Sequence, residues 1–305
     1  MTDFSDDWLA CRAPADSAAR ADELVRRLAV LPRAADGTCR VLDLGSGTGA
    51  NLRHLAPLLA AAGHDRQHWT CVDHDPALLT RLPGRMAEWA TNAAMACRAT
   101  SAGLLIAGGN WRASVRTLRL DLCAGLSALS LPPGGLVTAS ALLDLVSVTW
   151  LDALLARCRA AHCGLLFALT YDGRCTLSPE HAEDARVVER VNAHQRTDKG
   201  FGPALGPAAA ATAAARCRAL GWCVETAQSD WVLGADMPEL QYALLGGWRD
   251  AAAQMTSAEG AAAASAALDA WLRARRGWVE AGSSRLRVGH TDLVAWLCEG
   301  NIAAT

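Results

Sequence analysis

Apolar and polar residues follow two rhythms along the first half of the chain. Residues 15–31 read as an amphipathic helix that Pro32 breaks, with the turn-prone pair Asp36-Gly37 behind it. Cys39-Arg-Val-Leu-Asp-Leu44 is a short apolar run ending in glycines, which marks a strand. A helix over about 50–62, a strand at His68–Asp73 and a helix over about 76–98 come next. Further strands are predicted at 115–121, 135–141 and 163–170, with helices between 122 and 161. Strands and helices in alternation predict a parallel sheet covered on both faces.

The pattern changes after Tyr171. Ser178-Pro179-Glu180 combines a hydroxyl cap, a proline at the first helical position and an acid in the first turn, predicting a helix through Ala182–Ala193. A Gly- and Pro-rich stretch runs from His194 to Pro207, and a helix over 207–220 stops at Gly221. Residues 222–233 read as a strand, 238–279 as Ala-rich helix, and 285–296 as a last strand and short helix. The expected architecture is an N-terminal helical lid (1–36) and an α/β domain (37–305) with helical insertions at about 174–221 and 236–282.

Composition narrows the class. The chain has 305 residues, 51% hydrophobic, with 29 basic against 31 acidic side chains, enough for a sizeable core. Near-neutral charge and no run of Lys or Arg disfavour a nucleic-acid partner. The opening Met-Thr-Asp-Phe-Ser-Asp-Asp lacks the basic-then-apolar signature of a secretory signal, and no apolar stretch is long enough to span a membrane, so a soluble cytoplasmic protein is expected. Eleven cysteines form no Cys-x-x-Cys pair and no zinc spacing with His; they read as reduced thiols, most of them in the core.

The informative chemistry begins at Val41-Leu-Asp-Leu-Gly-Ser-Gly-Thr-Gly-Ala-Asn51. Glycines at a strand end let the backbone turn sharply and approach a ligand closely, and a Gly-rich turn opening a helix is a nucleotide-type site. Gly45, Gly47 and Ala50 satisfy the permissive dinucleotide pattern, which keeps a nicotinamide-dependent oxidoreductase open as an alternative. Asp43 and the placement of Gly49 separate the two: a pyrophosphate has no need of a carboxylate, whereas the cationic amino acid part of S-adenosylmethionine is helped by one.

Leu42-Asp-Leu-Gly-Ser-Gly-Thr-Gly49 resembles motif I of the class I S-adenosylmethionine-dependent methyltransferases. A second mark is Cys71-Val-Asp73-His-Asp75-Pro, whose Asp73 stands 24 positions beyond Gly49, near the spacing of roughly 20 for a ribose-binding acid. The resemblance implies a mostly parallel seven-stranded sheet and S-adenosylmethionine as cofactor, with S-adenosylhomocysteine as product. It also implies cofactor contacts from Asp43, Gly45, Ser46, Gly47, Gly49, Asn51, Asp73, His74, Asp121, Leu122 and Ser140. Thr138-Ala-Ser-Ala141 stands where enzymes acting on nucleobase amines carry an Asn- or Asp-Pro-Pro-aromatic motif, so a small-molecule acceptor is expected. No metal is assigned, and a catalytically silent scaffold remains the further alternative.

Methyl transfer is an in-line displacement that needs alignment, desolvation and, for some acceptors, a base. Candidate groups lie outside the glycine turn. His194 or Tyr171 is the candidate base or orienting group; Trp8, Arg12, Asp144, Asp172, Arg196 and Lys199 are candidates for the acceptor. His290-Thr-Asp292 reads as a cap for a following helix, and the tryptophans other than Trp8 read as core. A monomer or homodimer is expected.

Overall fold

The computed structural model describes residues 5–31, 34–256 and 261–298; the first four residues of the acidic opening and Pro32 lie outside them. In chain order, α1 (Asp6–Ala19) starts at Ser5, whose hydroxyl accepts from the Trp8 amide, and a 3-10 stretch follows at Asp22–Val30. Next come β1 (Cys39–Leu44), α2 (Ala50–Ala61), β2 (Arg66–Asp73) and α3 (Pro76–Asn92). The Asp75 side chain caps α3 by accepting from the Ala77 amide, with Pro76 at its first position. A hairpin, β3 (Ala96–Thr100) and β4 (Gly103–Gly108), leads into β5 (Trp111–Arg119) and then β6 (Leu136–Ser140), α4 (Val148–Ala160) and β7 (Gly164–Ser178). The chain finishes with α5 (Asp184–Gln195), α6 (Ala209–Ala219), β8 (Trp222–Gln228), β9 (Trp231–Leu233), α7 (Pro238–Gln254), α8 (Ala261–Glu280) and β10 (Arg285–Leu297).

One sheet takes all these strands in the order β3-β4-β5-β2-β1-β6-β7-β10-β8, with β9 also on β10. The five strands β5-β2-β1-β6-β7 are parallel, so the turns after β1, β2, β5 and β6 meet at one edge. β10 runs antiparallel between β7 and β8. β1 lies at the centre, and Val41 to Leu44 are all buried because helices cover both faces there. One core packs around Trp69, Leu82 and Met86 under α2 and α3, another around Phe167, Leu151 and Trp222 under α4 and α6. A third joins α1, α5, α7 and α8 around Trp231, Trp248 and Trp271. Arg275 of α8, wholly buried, ion-pairs with Asp184 of α5 and donates to the Pro179 carbonyl (2.7 Å), fixing those two helices together.

Several elements depart from the pattern-based expectation. The helix expected at 15–31 is α1 plus the 3-10 stretch, and the helix expected to reach 98 stops at Asn92. The hairpin that follows, helix-prone by composition, is closed through Gly103 at φ +131°, where a Cβ would stand 2.1 Å from the Val115 carbonyl oxygen. The described sheet therefore has ten strands rather than seven. β7 runs on to Ser178 because β10 pairs with it that far, so Ser178-Pro179-Glu180 ends a strand and α5 starts at Asp184. No short helix ends the described chain: β10 continues to Leu297. Residues 120–135 carry no helix either, leaving a sheet face open beside Arg40, His68, Arg112 and Arg116. The thiol reading fails at one pair: adjacent antiparallel strands bring Cys223 and Cys298 to a Cα separation of 5.4 Å, and they are joined in a disulfide.

Candidate active site

The glycine turn leaves β1 with Gly45, Gly47 and Gly49 all at positive φ (63°, 52° and 81°), conformations that residues with a Cβ rarely adopt. Asp73, at the end of β2, accepts from the Gly47 amide through Oδ2 (2.8 Å) and from the Asp75 amide through Oδ1 (3.0 Å). Beside this turn lies a cleft of about 160 Å³. Gly45, Ser46, Gly47, Asn51, Asp73, His74, Asp121, Leu122 and Ser140 all line it. α1 crosses above: Leu9 Cδ1 would stand 3.1 Å from a Cβ at Gly47, and Asp6 ion-pairs with Arg81 (2.7 Å) and Arg85 (2.9 Å) of α3.

Two residues expected in this cleft stand behind it. Gly49 starts α2 and packs on α3, where a Cβ would meet Met86 Cε at 2.6 Å; it serves helix packing. Asp43 is wholly buried and accepts from Asn51 Nδ2 (2.7 Å), so Asn51 presents that carboxylate's environment to the cleft. Burial raises the Asp43 pKa to about 7, against the Asn51 hydrogen bond and the charge of Arg20. Arg20, which sequence reasoning missed, donates to Asn51 Oδ1 (2.6 Å) and Ser140 Oγ (3.4 Å). Its only sequence signal is a basic residue within the amphipathic segment 15–31, and many surface arginines share that.

A second cavity, of about 290 Å³, opens beside the first and shares Arg12, Ala141, Leu145 and Lys199 with it. Its walls come from α1 (Trp8, Arg12), the turn after β6 (Asp144), β7 (Tyr171), α5 (His194), α7 (Trp248), β9 (Trp231) and β10 (His290). The segment after α5 is a tight loop: Asp198 Oδ1 accepts from the amides of Gly200 (2.7 Å) and Gly202 (3.0 Å). That loop sends Lys199 to both cavities and seats Phe201 edge-on against Trp150 (5.4 Å) at the cofactor-side cleft. A larger cavity, about 550 Å³, lies on the open sheet face around Arg40 and Arg112, away from the glycine turn.

The expected acceptor-side residues divide. Trp8, Arg12, Asp144, Tyr171, His194 and Lys199 line the second cavity. Asp172 and Arg196 line neither: Asp172 is ion-paired with Arg174, and Arg196 donates back to the Asn192 carbonyl (3.1 Å). Arg12 holds Asp16 through two hydrogen bonds (2.8 and 3.0 Å) and stacks 4.9 Å from the Trp231 ring. His194 receives the Lys199 ammonium at Nδ1 (3.3 Å), so its Nε2–H faces Gln254 Oε1 (3.2 Å) and neither nitrogen is free. Tyr171 donates to Asn192 Oδ1 (2.7 Å), and burial pushes its pKa upward. His290 lines the pocket and Asp292 is buried, accepting from the Ala21 amide (3.0 Å) and the Leu169 amide (2.6 Å). They cap no helix. Trp231 and Trp248, read from sequence as core, are pocket walls as well.

The parallel order β5-β2-β1-β6-β7, continued by antiparallel β10 and then β8, is a class I methyltransferase fold. A dinucleotide-binding sheet of order 3-2-1-4-5-6 puts a sixth strand where β10 stands. No family model matches the sequence, and no curated protein matches it. Solved structures do overlap it. A cyclopropane-fatty-acyl-phospholipid synthase-like protein from Lactobacillus casei gives a TM-score of 0.48 at 12% identity, over 96% of this chain and 94% of that one. A cyclopropane synthase from Mycobacterium tuberculosis gives 0.42 at 11%, over 97% and 87%. An O-methyltransferase family protein from Burkholderia thailandensis gives 0.39 at 14%, over 73% and 57%.

The residues in the first cleft suit S-adenosylmethionine. Asp73, His74, Asp121 and Leu122, the residues expected at the ribose and adenine, all line it. The glycine cradle has room that a Cβ would take, and Ser46 Oγ, buried on it, has no partner among the described residues.

Proposed function

We propose that this chain is an enzyme that transfers a methyl group from S-adenosylmethionine to a small-molecule acceptor. The observation that carries the reading is the pair of cavities with a common wall at Arg12, Ala141, Leu145 and Lys199, one built on the glycine turn and one lined by aromatic rings. The cofactor supplies an electrophilic methyl group on a sulfonium sulfur. What the chain contributes is position: Asp73, Asn51 and the glycine turn hold one reactant, while α1, α5 and α7 line the place of the other. Helices standing over the sheet edge favour a small acceptor over a polymer. We take residues 1–36 and the two helical insertions as the cover of this site.

Titration calorimetry with S-adenosylmethionine, S-adenosylhomocysteine and NADH tests the reading. Micromolar binding of the sulfonium compound and its thioether product, lost in Asp73→Ala, is the expected result. Binding of NADH in their place, or of none of the three, overturns it.

A further inference from the structure

The second cavity contains a carboxylate, Asp144, that backbone amides of Asp144 and Tyr171 hold on one side, while one of its oxygens has no partner among the described residues. Asp144 lies in the single 3-10 turn Leu143–Leu145 after β6, whose end lines the cofactor-side cleft at Ser140 and Ala141. It is 6% exposed, it lines the acceptor-side cavity, and its Oδ1 has no partner among the described residues. A buried oxygen left without a donor costs roughly 1–3 kcal/mol, more if charged, so its retention at a cavity wall points to a donor brought by a ligand. A second unpartnered polar atom, Trp8 Nε1, belongs to the same wall.

The other groups facing Asp144 restrict what that ligand is. Arg12 from α1 spends its charge on Asp16 and covers the Trp231 face at 4.9 Å, the position a cationic ligand would take. Lys199, from the loop after α5, adds a second positive charge opposite Asp144, so the pocket's charges nearly cancel. A neutral ligand suits that balance. Trp8, Tyr171, Trp231 and Trp248 supply ring walls around about 290 Å³, which suits a flat ring system of one or two rings.

Nor is another base at hand. Both nitrogens of His194 are engaged, and the Tyr171 hydroxyl is a donor to Asn192. His290 of β10 has Nδ1 at the Val288 carbonyl (3.0 Å), and burial holds its pKa down at about 4.

We propose that the acceptor is a neutral, planar phenol or N–H heteroaromatic, and that Asp144 Oδ1 receives its proton during methyl transfer. This rests on the reading that S-adenosylmethionine occupies the adjoining cleft. The acceptor's O–H or N–H bond breaks, its proton goes to Asp144, and the oxygen or nitrogen lone pair forms the bond to the methyl carbon. The carbon–sulfur bond breaks with its electron pair kept by sulfur, leaving a neutral thioether. Burial raises the Asp144 pKa to about 6 against the backbone amides of Asp144 and Tyr171 and the charges of Arg12 and Lys199, so the carboxylate is ionised at neutral pH yet basic enough to take a proton.

The test uses 2-naphthol and its methyl ether, 2-methoxynaphthalene, titrated into the full-length protein with and without saturating S-adenosylhomocysteine. At about pH 7.5 the naphthol is expected to bind about tenfold more tightly than the ether, as a charge-assisted hydrogen bond provides. That advantage should vanish at about pH 5 and in Asp144→Leu, with S-adenosylhomocysteine binding retained. An advantage that persists in the folded variant or at about pH 5, no advantage at all, or no binding of either compound by protein that binds S-adenosylhomocysteine overturns the inference alone. Should Asp144→Leu misfold, the pH comparison on the wild type still decides. Failure to bind S-adenosylhomocysteine strikes the methyltransferase reading instead.

Discussion

The two cavities share a wall but are assembled in opposite ways. The cofactor-side cleft is built mainly from turns that leave parallel strands, each contributing a short run: Gly45–Thr48 with Ala50 and Asn51, Asp73–Asp75, Leu120–Cys123 and Ser140–Leu142. The acceptor-side cavity takes spaced residues from α1, the turn after β6, β7, α5, α7, β9 and β10, spread from Trp8 to His290. The first is a property of the sheet, whose parallel register forces those turns together; the second exists only once the helical cover has docked. Binding of a shared cofactor needs the former, and choice of acceptor needs the latter.

The sharpest way to break this division is Asp73→Ala. It removes the ribose acceptor and the anchor of the Gly47 amide together, and should weaken S-adenosylhomocysteine binding by about 100-fold in calorimetry. Binding of naphthol in the other cavity should be unchanged; parallel loss of both would mean that the cavities are one unit. Gly49→Ala should instead lower thermal stability by about 2 kcal/mol, because φ +81° and the Met86 methyl both oppose a Cβ, while protein that remains folded keeps its cofactor affinity. A loss of affinity without loss of melting temperature would put Gly49 in the cleft after all.

Proton linkage separates the cavities further. Asp43, raised to about 7, and Asp144, raised to about 6, bind protons more tightly folded than unfolded. Each therefore favours the folded state in acid and loses that contribution as pH rises from the ordinary carboxylate value of 3.8 through its folded value. His290, held down at about 4, acts in the opposite sense between 4 and its ordinary 6.5, offsetting one of the two carboxylates. The melting temperature should thus fall from about pH 4 to about pH 7. Asp144→Asn should flatten that fall and exceed wild type by roughly 2 kcal/mol at about pH 8, since the buried charge is gone. An unchanged pH profile in calorimetric scans would show that Asp144 does not titrate as described. The smallest effect belongs to Arg196→Ala: its side chain reaches only the Asn192 carbonyl, so both affinities should stay within about twofold of wild type.

Much of the cofactor side was legible in the sequence because a strand, a sharp glycine turn and a helix start leave local marks, and because an acid such as Asp73 follows at a spacing fixed by one intervening helix. Asp43 and Gly49 were read from the same motif, yet they act from behind, through Asn51 and through Met86 packing. The acceptor side carries no such local signal. Lys199 and His194 could be picked out because a polar, Gly-rich loop between helices is unusual, but Trp231, Trp248 and His290 look like any strand or helix interior. Arg20 is legible only from its partners. The hairpin 96–108 carried no strand signal and its first residues read as the end of a helix, because its pairing with β5 is a tertiary decision.

Asp292 sets the order in which this molecule can be finished. Its two oxygens take the amides of Ala21, near the beginning of the described chain, and of Leu169 on β7, nearly at the middle. A nascent chain can make β1, the glycine turn and β2 early and pair them as soon as they leave the ribosome. The segment behind α1 must wait, its amide unclaimed, until β10 arrives some 270 residues later. Until β10 is in place, the glycine turn can have its strand partners while the segment behind α1 lacks this anchor.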